Sequence, residues 1–450
     1  MCGVSKTNRK TTTITPKSSK FVGMKPKKII VIGGGAAGFF GAIAAAETFA
    51  GLEVVLLEKN RTVLNKVRVS GGGRCNVTNA LADPRKFAAQ YPRGEAFLKN
   101  LFKHFNATDT IRWFEQRGVT LKTEPDGRMF PITDDSATII DCLTRAARSS
   151  KVQIRTSAGV KNYWFENQKW HVSLLDDTIL EADRLLVATG GNPQLTGYEN
   201  LTNLTEQIEP PVPSLFTFNA PTNFLRDLAG VSVQDAEVKI VGSLPVQPET
   251  ARGGLLQRGL TQRGLTQRGP VLVTHWGFSG PSILKLSAWG ARLLSESNYD
   301  FTLKINWLAG QTGEQVHAFL IKFKQENPKK QVASHPLLGV PSRLWSAFCQ
   351  QAAVSDALRW VDISNRSLNQ LVEQLTNSQF KVVGKTTFKE EFVTCGGVAL
   401  ATINPQTMES TQNKGLFFAG EVIDIDGVTG GFNFQSAWSS GFVAGKSIGL

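Results

Sequence analysis

The sequence predicts an α/β protein in which a parallel-sheet, nucleotide-binding domain is interrupted by an inserted antiparallel β-barrel with a small α-helical subdomain. Three stretches carry that expectation. Residues 27–59 run strand, glycine turn, helix, strand and acid. From about Pro210 to Gly384 this rhythm gives way to short alternating strands and then helices. From Gly415 a strand and a small-residue helix return. The expected boundaries are 1–26 for a basic disordered tail and 27–209 with 385–450 for a discontinuous nucleotide domain. The barrel takes 210–310 with a return strand reaching 384, and the helices take 311–378.

At 450 residues the chain has material for two or three domains. It is 41% hydrophobic and 19% charged, as globular proteins are. Its cysteines (Cys2, Cys75, Cys142, Cys349, Cys395) are odd in number and form no Cys-x-x-Cys pair. That argues for a reduced compartment and against a disulfide scaffold, a dithiol redox centre or a metal site. The formal charge is +13, and eight of the 50 basic residues fall in the first 28 positions, which hold no acid. The other 42 face 37 acids, a net of +5. Such a body permits nucleic acid as a partner without demanding it. The Thr-, Ser- and Lys-rich tail has the composition of a transit peptide, which would imply an organelle. The favoured reading starts the chain at Met24, directly before "KPKKIIVIGGG", in the cytoplasm.

Ile29 to Ala46 is 18 residues without a charge, a length that raises a membrane span. Glycines at 33, 34, 35, 38 and 41 divide it into a β-branched strand, a turn and an alanine-rich helix, so no membrane role is expected. "IIVI" is the short apolar strand of a buried parallel sheet. Gly33-x-Gly35-x-x-Gly38 supplies the tight turn, the close backbone approach to a pyrophosphate and the close helix–strand packing. The helix N-terminus offers N–H groups and partial positive charge to phosphates. "EVVLLE" ends at Glu58, 20 residues after Gly38, where an acid binds ribose hydroxyls. This register is Rossmann-like. The competing reading is a βαβ turn whose glycines serve packing alone.

Two further stretches point to the length of the ligand. "RLLVATGGNP" (184–193) suits a strand that returns to the nucleotide domain and ends in small residues. "GLFFAGEVIDIDGVTGGFNFQSAWSSGFVAGKSIG" holds a strand, a glycine- and acid-bearing loop from Gly420 to Gly431, and a small-residue helix. A cofactor contacted from residues 33, 190 and 420 onward is long and anchored several times, which favours FAD over NAD.

In the insert, "SLFTFNA", "VSVQDAEVKIVG", "PVLVTHWGFSG" and "YDFTLKINW" read as antiparallel strands. "EQVHAFLIKFKQ", "PSRLWSAFCQQ" and "SLNQLVEQLTN" read as helices, the last with Leu368, Leu371, Val372 and Leu375 on one face. "LLQRGLTQRGLTQRG" repeats a five-residue unit that is too short for a solenoid. It reads as a tolerated loop expansion, or as a basic finger on RNA through Arg258, Arg263 and Arg268.

"GGGAAG", "SGGGRCNVTN", "GRMFP", "THWGFSGP", "VTCGGV" and the C-terminal stretch together resemble the FAD-dependent NAD(P)H oxidoreductases of the BaiN/RdsA type, from residue 27 onward and in family order. The resemblance implies a glutathione-reductase-like FAD domain interrupted by a barrel and a helical subdomain. Some members are associated with reducing a carbon–carbon double bond in bile-acid-type substrates, others with reducing ribosomal RNA uridine to dihydrouridine. The resemblance makes 70–76 a flavin-contacting loop. Gly71, Gly72 and Gly73 would let N–H groups approach the pyrophosphate or ring. Arg74 would neutralise phosphate or reduced flavin, Asn76 would bond the ring edge, and Cys75 would be a small neighbour. The approach to the motif, "KVRVS", departs from the family by carrying Lys66 and Arg68.

The full set of expected FAD contacts is Gly33, Gly35, Ala36, Ala37, Gly38, Glu58, Lys59, Ser70, Gly71, Gly72, Gly73, Arg74, Cys75, Asn76, Val160, Thr189, Gly190, Gly420, Glu421, Asp424, Gly431, Asn433, Phe434 and Gln435. Reducing an enone-like bond needs hydride at one carbon and a proton donor near the other. Cys395 and His275 are the candidates. Each has a structural alternative, as a small residue before two glycines and as a histidine beside a strand end. NAD(P)H is the expected reductant, although no second Gly-x-Gly-x-x-Gly domain is present to hold it. Uridine in large-subunit ribosomal RNA is the favoured substrate. A small enone or steroid-like molecule, and a non-catalytic RNA-binding flavoprotein, are the alternatives. The sequence carries no signal for oligomeric state.

Overall fold

Ile29, Ile30, Val31 and Ile32 are buried on both faces of strand β1 (Lys28–Ile32), which puts β1 at the centre of a sheet. The computed structural model describes residues 27–241, 265–386 and 393–450. The basic tail, Met24, Arg258 and Arg263 lie outside the described residues. β1 is followed by helix α1 (Ala36–Thr48) and strand β2 (Glu53–Leu57), with Ile30 beside Val55 on one side and Leu185 on the other. The parallel sheet runs, edge to edge, Leu416–Phe418, Arg184–Val187, β1, β2 and Gln153–Arg155. Strands drawn from Lys28 to Phe418 thus share one sheet, and their C-terminal ends line up on one edge. In such sheets ligands bind at that edge.

α1 lies against the C-terminal helix (Phe432–Ser447) along a seam of small residues. A Cβ on Gly441 would collide with the Ala37 carbonyl, and one on Gly445 with the Gly41 carbonyl. Only glycine lets the two backbones approach so closely. The seam sets both helix N-termini near the same sheet edge.

The insert is all antiparallel. Its sheet runs Ser378–Val383, Asp300–Asn306, Ser232–Val241, Thr266–Val273, Gly277–Ser279, Thr217–Asn219 and Lys385–Thr386. The sequence predicts a barrel, and a closed one is not seen: among the described residues no ladder joins Ser378–Val383 to Thr217–Asn219. One segment bends at Gly384 and supplies both edges, with Asn219 N–H donating to the Gly384 carbonyl (2.9 Å). Strands of three, three and two residues on that side are too short to close a cylinder.

The helices Gly313–Glu326, Ser342–Gln351 and Asn365–Asn377 pack on this sheet. Leu368, Leu371, Val372 and Leu375 are buried, as their spacing predicts, and share one core with Val238, Phe278 and Ile305 of the sheet. A separate core holds the parallel sheet, α1 and the C-terminal helix. Between the cores runs a two-stranded ribbon, Ile208–Ser214 with Val393–Val398, in which Val212 faces Cys395. Among the described residues no helix is long and apolar enough to cross a membrane.

Candidate functional site

The first glycine turn divides its work. A Cβ on Gly33 would meet the Ala188 carbonyl, and one on Gly34 would lie 2.9 Å from Glu58 Cβ, so these two serve packing. A Cβ on Gly35 would meet nothing within 4 Å: its backbone faces open space. Gly35 is also the N-cap of α1, with no side-chain cap and no acid in the first turn. The first N–H groups of that helix are therefore left for an anion. Gly38 packs against Gly33, Ala36 is half-buried, and Ala37 lies against Gly420.

Glu58 is buried beside this turn. One carboxylate oxygen accepts from Gly34 N–H (2.9 Å), the other from the Asn60 backbone (2.9 Å) and amide (2.6 Å). These donors fix the carboxylate where a ribose would lie. Lys59 is exposed, and Val160 is half-buried at the start of the Val160–Glu166 strand. Across the turn, Thr189 is exposed and Gly190 faces open space.

Helix α2 (Asn65–Val69) leads into the "SGGGRCN" loop. Ser70 donates to the Val67 carbonyl (3.0 Å) and accepts at its own carbonyl from Cys75 N–H (3.0 Å). Gly71, Gly72 and Gly73 have φ of +59°, +70° and +85°, a left-handed run that other residues resist. Gly72 and Gly73 face open space. Cys75 is buried, and burial pushes its thiol up to about 12, so it is a packing residue at neutral pH. Arg74 differs from expectation. Its guanidinium bonds Glu124 (2.6 Å), lies 3.5 Å from Asp134 and sits over Phe130 (4.0 Å to the ring centre). The paired Glu124 raises its pKa. The two acids, 50 and 60 positions downstream, carry no signal that the local motif reveals.

The loop reaches the C-terminal helix through Asn76, which accepts from Gly431 N–H (2.9 Å) and donates to the Thr78 carbonyl (3.1 Å). Gly431 is the N-cap of that helix, at φ +92° and without a side-chain cap. Its surroundings are braced. Tyr91 donates to the Phe432 carbonyl (2.6 Å), Asn79 to the Gly430 carbonyl (3.0 Å) and Trp438 to the Val77 carbonyl (2.9 Å). Asn433 exchanges two hydrogen bonds with the Gly427 backbone. Gln435 accepts from Thr78 (2.6 Å) and donates to Ser439 (3.0 Å), while Phe434 stacks on Trp438. The side chains of Asn433 and Gln435 are thus struts, and the helix offers its backbone to a ligand.

Gly420 N–H donates to Ser440 (2.9 Å). Glu421 joins Lys66 (2.7 Å) to the Thr394 backbone (2.8 Å), so the unusual lysine of "KVRVS" clasps the C-terminal loop. Two buried oxygens here, Thr394 Oγ1 and Asp424 Oδ1, have no hydrogen-bond partner among the described residues. Thr394 Oγ1 lies against Gly191, beside the open face of Gly190. Bare helix N-termini, open-faced glycines, a ribose acid and unmet buried oxygens fit an extended dinucleotide with a polar ring edge.

Cys395 is buried in the ribbon, next to four charges of which the sequence singles out only Asp424. Arg93 makes a bidentate pair with the fully buried Asp426 and donates to the Ala288 carbonyl (2.7 Å). Ser214 donates to Asp426 (2.6 Å), and Arg292 Nη2 lies 3.5 Å from Asp424 Oδ1. The alternation in "IDIDG" put Asp424 and Asp426 on one side and was the available signal. Burial pushes the Cys395 thiol up to about 12, against the pull of Arg93. Burial likewise raises the Asp424 carboxyl, against Arg292. His275 stands elsewhere, exposed in the turn between Thr266–Val273 and Gly277–Ser279, beside the exposed Trp276. Cys395 and His275 belong to different ladders, and no hydrogen bond links them among the described residues.

Among curated proteins the chain is similar to a 3-dehydro-bile acid delta(4,6)-reductase of Clostridium scindens, 25% identical over 93% of this chain and 98% of that one. It is similar to a ribosomal RNA dihydrouridine synthase of Haemophilus influenzae, 29% identical over 93% and 98%. Among solved structures, a 3-ketosteroid-delta4-(5alpha)-dehydrogenase from Rhodococcus jostii shares the fold, with a TM-score of 0.50 at 15% identity over 97% of this chain and 100% of that one. Residues 27–447 match the family described as the HI0933-like protein Rossmann domain. The chain belongs to that family.

Proposed function

We propose that this chain is an FAD-dependent oxidoreductase that reduces a carbon–carbon double bond, with uridine in large-subunit ribosomal RNA as its substrate and dihydrouridine as its product. One observation carries the flavin reading. Two uncapped helix N-termini, at Gly35 and Gly431, are brought together by the glycine seam between their helices, and Asn76 of the 70–76 loop bonds the second, although 396 positions of chain separate them. The first suits the pyrophosphate and the second the carbonyl edge of the ring. The dihydrouridine synthase relative, matched over nearly its whole length, supports the substrate.

Bound FAD would supply hydride to one carbon of the double bond, and NAD(P)H is the proposed source of its electrons. The chain's residues do the rest. Glu58 would hold the ribose, the Gly35 turn the pyrophosphate, and the Gly431 helix end the ring. Cys395 is the first choice for the proton at the second carbon. Its thiol keeps its proton at neutral pH, and Arg93 and Arg292 stabilise the thiolate left behind. His275 is the second choice. We assign 210–310 and the return to 384 to an inserted sheet unit and 311–378 to its helices, with the flavin domain on either side.

Of the "LTQRG" arginines only Arg268 is among the described residues, and it is committed to an acid. Arg268 lies in a strand and is bidentate to Asp235 (2.7 and 2.6 Å). A small enone is the second reading, favoured by the bile-acid reductase relative. Expression in a bacterial strain that lacks its own ribosomal RNA dihydrouridine synthase separates the two. The account expects one dihydrouridine to return to the large-subunit RNA. An unchanged modification map would remove RNA as the substrate.

A further inference from the structure

A cavity of about 470 Å³ opens between α2, the Ser136–Ser149 helix and the Gln153–Arg155 strand. None of the residues assigned to FAD lines it; Val63 is the wall shared with the Gly34 turn. Arg61, Arg68 and Arg148 reach it from three separate segments, and no carboxylate is among its lining residues. All three are exposed, and no guanidinium of the three has a hydrogen-bond or ion-pair partner among the described residues. Elsewhere Arg74, Arg93, Arg117, Arg268 and Arg292 each face a carboxylate within 3.5 Å. Three arginines around one cavity with no acid in its lining repel one another, and an anion between them removes that repulsion.

The floor is apolar, made by Ile140, Val152 and Ile154. An inorganic anion alone would leave that floor bare, whereas a flat base would cover it. The Thr156 hydroxyl, also in the lining, has no partner among the described residues and can donate to a ribose or phosphate oxygen. Ser136 ties the cavity wall to the flavin loop: its hydroxyl donates to the Arg68 carbonyl (2.8 Å) and its N–H to the Gly73 carbonyl (2.9 Å).

We propose that this cavity is a second nucleotide site, which holds a phosphorylated nucleoside with its phosphate between Arg61, Arg68 and Arg148 and its base on the Ile140–Val152–Ile154 floor. The ligand chemistry has two sources, the 2′-phosphoadenosine half of NADPH or a nucleotide of an RNA strand. The site does not depend on which double bond the enzyme reduces.

Calorimetric titration of the FAD-loaded full chain with 2′,5′-ADP, with unphosphorylated adenosine and with a single-stranded oligoribonucleotide tests it. At least one phosphorylated probe should bind, with adenosine at least tenfold weaker. Arg61→Ala and Arg148→Ala should each weaken the bound probe roughly tenfold, and Arg145→Ala, on the same helix but outside the cavity, should leave it unchanged. Tighter 2′,5′-ADP identifies the electron donor as the source, and a tighter oligonucleotide identifies RNA. Flavin content should be equal in all variants. Failure of both phosphorylated probes to bind would overturn the proposal, as would binding indifferent to Arg61 and Arg148. Loss of flavin from Arg148→Ala would also overturn it, by making the cavity part of the FAD cradle.

Discussion

The helix that starts at Ala36 and the helix that starts at Phe432 both follow an uncapped glycine and both lack an acid in the first turn. They differ in what surrounds them. At α1 the backbone of Gly35 faces open space, and the neighbouring Glu58 is held by backbone and by Asn60. At the C-terminal helix, Asn76, Asn79, Tyr91 and Asn433 each bond the backbone between Gly427 and Phe432. A doubly charged pyrophosphate is attracted by the field of a bare helix end and needs little more. A neutral ring edge gains less from that field, so its N–H donors must be held in place by the fold. The first terminus is a local device. The second is built by residues from across the chain.

Breaking the distant supports should therefore cost more than breaking the local ones. The largest effect belongs to Arg93→Ala, which leaves the fully buried Asp426 without its counter-ion just before the second terminus. Urea denaturation should show a loss of about 3–5 kcal/mol. A loss below about 1 kcal/mol would mean that water reaches Asp426 and that the junction is not dry.

Glu58→Ala comes next and acts at the first terminus. It should weaken FAD retention by about 1.5–3 kcal/mol, read by flavin release under dialysis, through loss of charge-assisted bonds to the ribose. FAD, not FMN, should be the flavin released from the parent protein. Unchanged retention would separate Glu58 from the ribose.

The buried thiols give a pH test of both regions. Cys75, in the flavin loop, and Cys395, in the ribbon, are each pushed up to about 12, above the value of 9.0 for a free thiol. A raised folded-state pKa contributes stability that is complete below the unfolded value and lost as pH climbs toward the folded one. Stability should be flat near neutrality and then fall between about pH 9 and 12, by roughly 1.4 kcal/mol per unit for each thiol. Cys75→Ala should shallow that slope, and native thiols should resist alkylation at neutral pH. An unaltered slope would place another group behind the alkaline loss.

Arg74→Ala should have the smallest effect, about 0.5–1 kcal/mol by thermal or urea unfolding, because its pair with Glu124 is partly exposed. Flavin content should hold. A protein that loses its flavin on this change would return Arg74 to the phosphate.

The same contrast governs what could be read in advance. The strand, glycine turn, helix and Glu58 lie within one short stretch, and their spacing alone indicated the first terminus. The packing faces of the insert helices were legible for the same reason, since Leu368, Leu371, Val372 and Leu375 repeat at helical spacing. Arg74 stands in a recognisable motif, yet its partners Glu124 and Asp134 come from a hairpin whose proximity only folding creates. Arg93 and Arg292 have no local signature at all, and meet Asp426 and Asp424 across the boundary between two cores. The barrel was overstated because alternation predicts strands and their faces, while closure depends on strand lengths and on how one segment bends at Gly384.

The central claim is that flavin held between these two helix ends reduces a uridine double bond in ribosomal RNA. Anaerobic single turnover tests it most directly: the FAD-loaded chain, reduced beforehand, is mixed with large-subunit RNA from a strain lacking dihydrouridine, and flavin absorbance is followed alongside mass-spectrometric mapping. The account predicts reoxidation by the RNA with one dihydrouridine formed per flavin oxidised, at a single position. Flavin that stays reduced with the RNA yet is reoxidised by a conjugated steroid enone would contradict it.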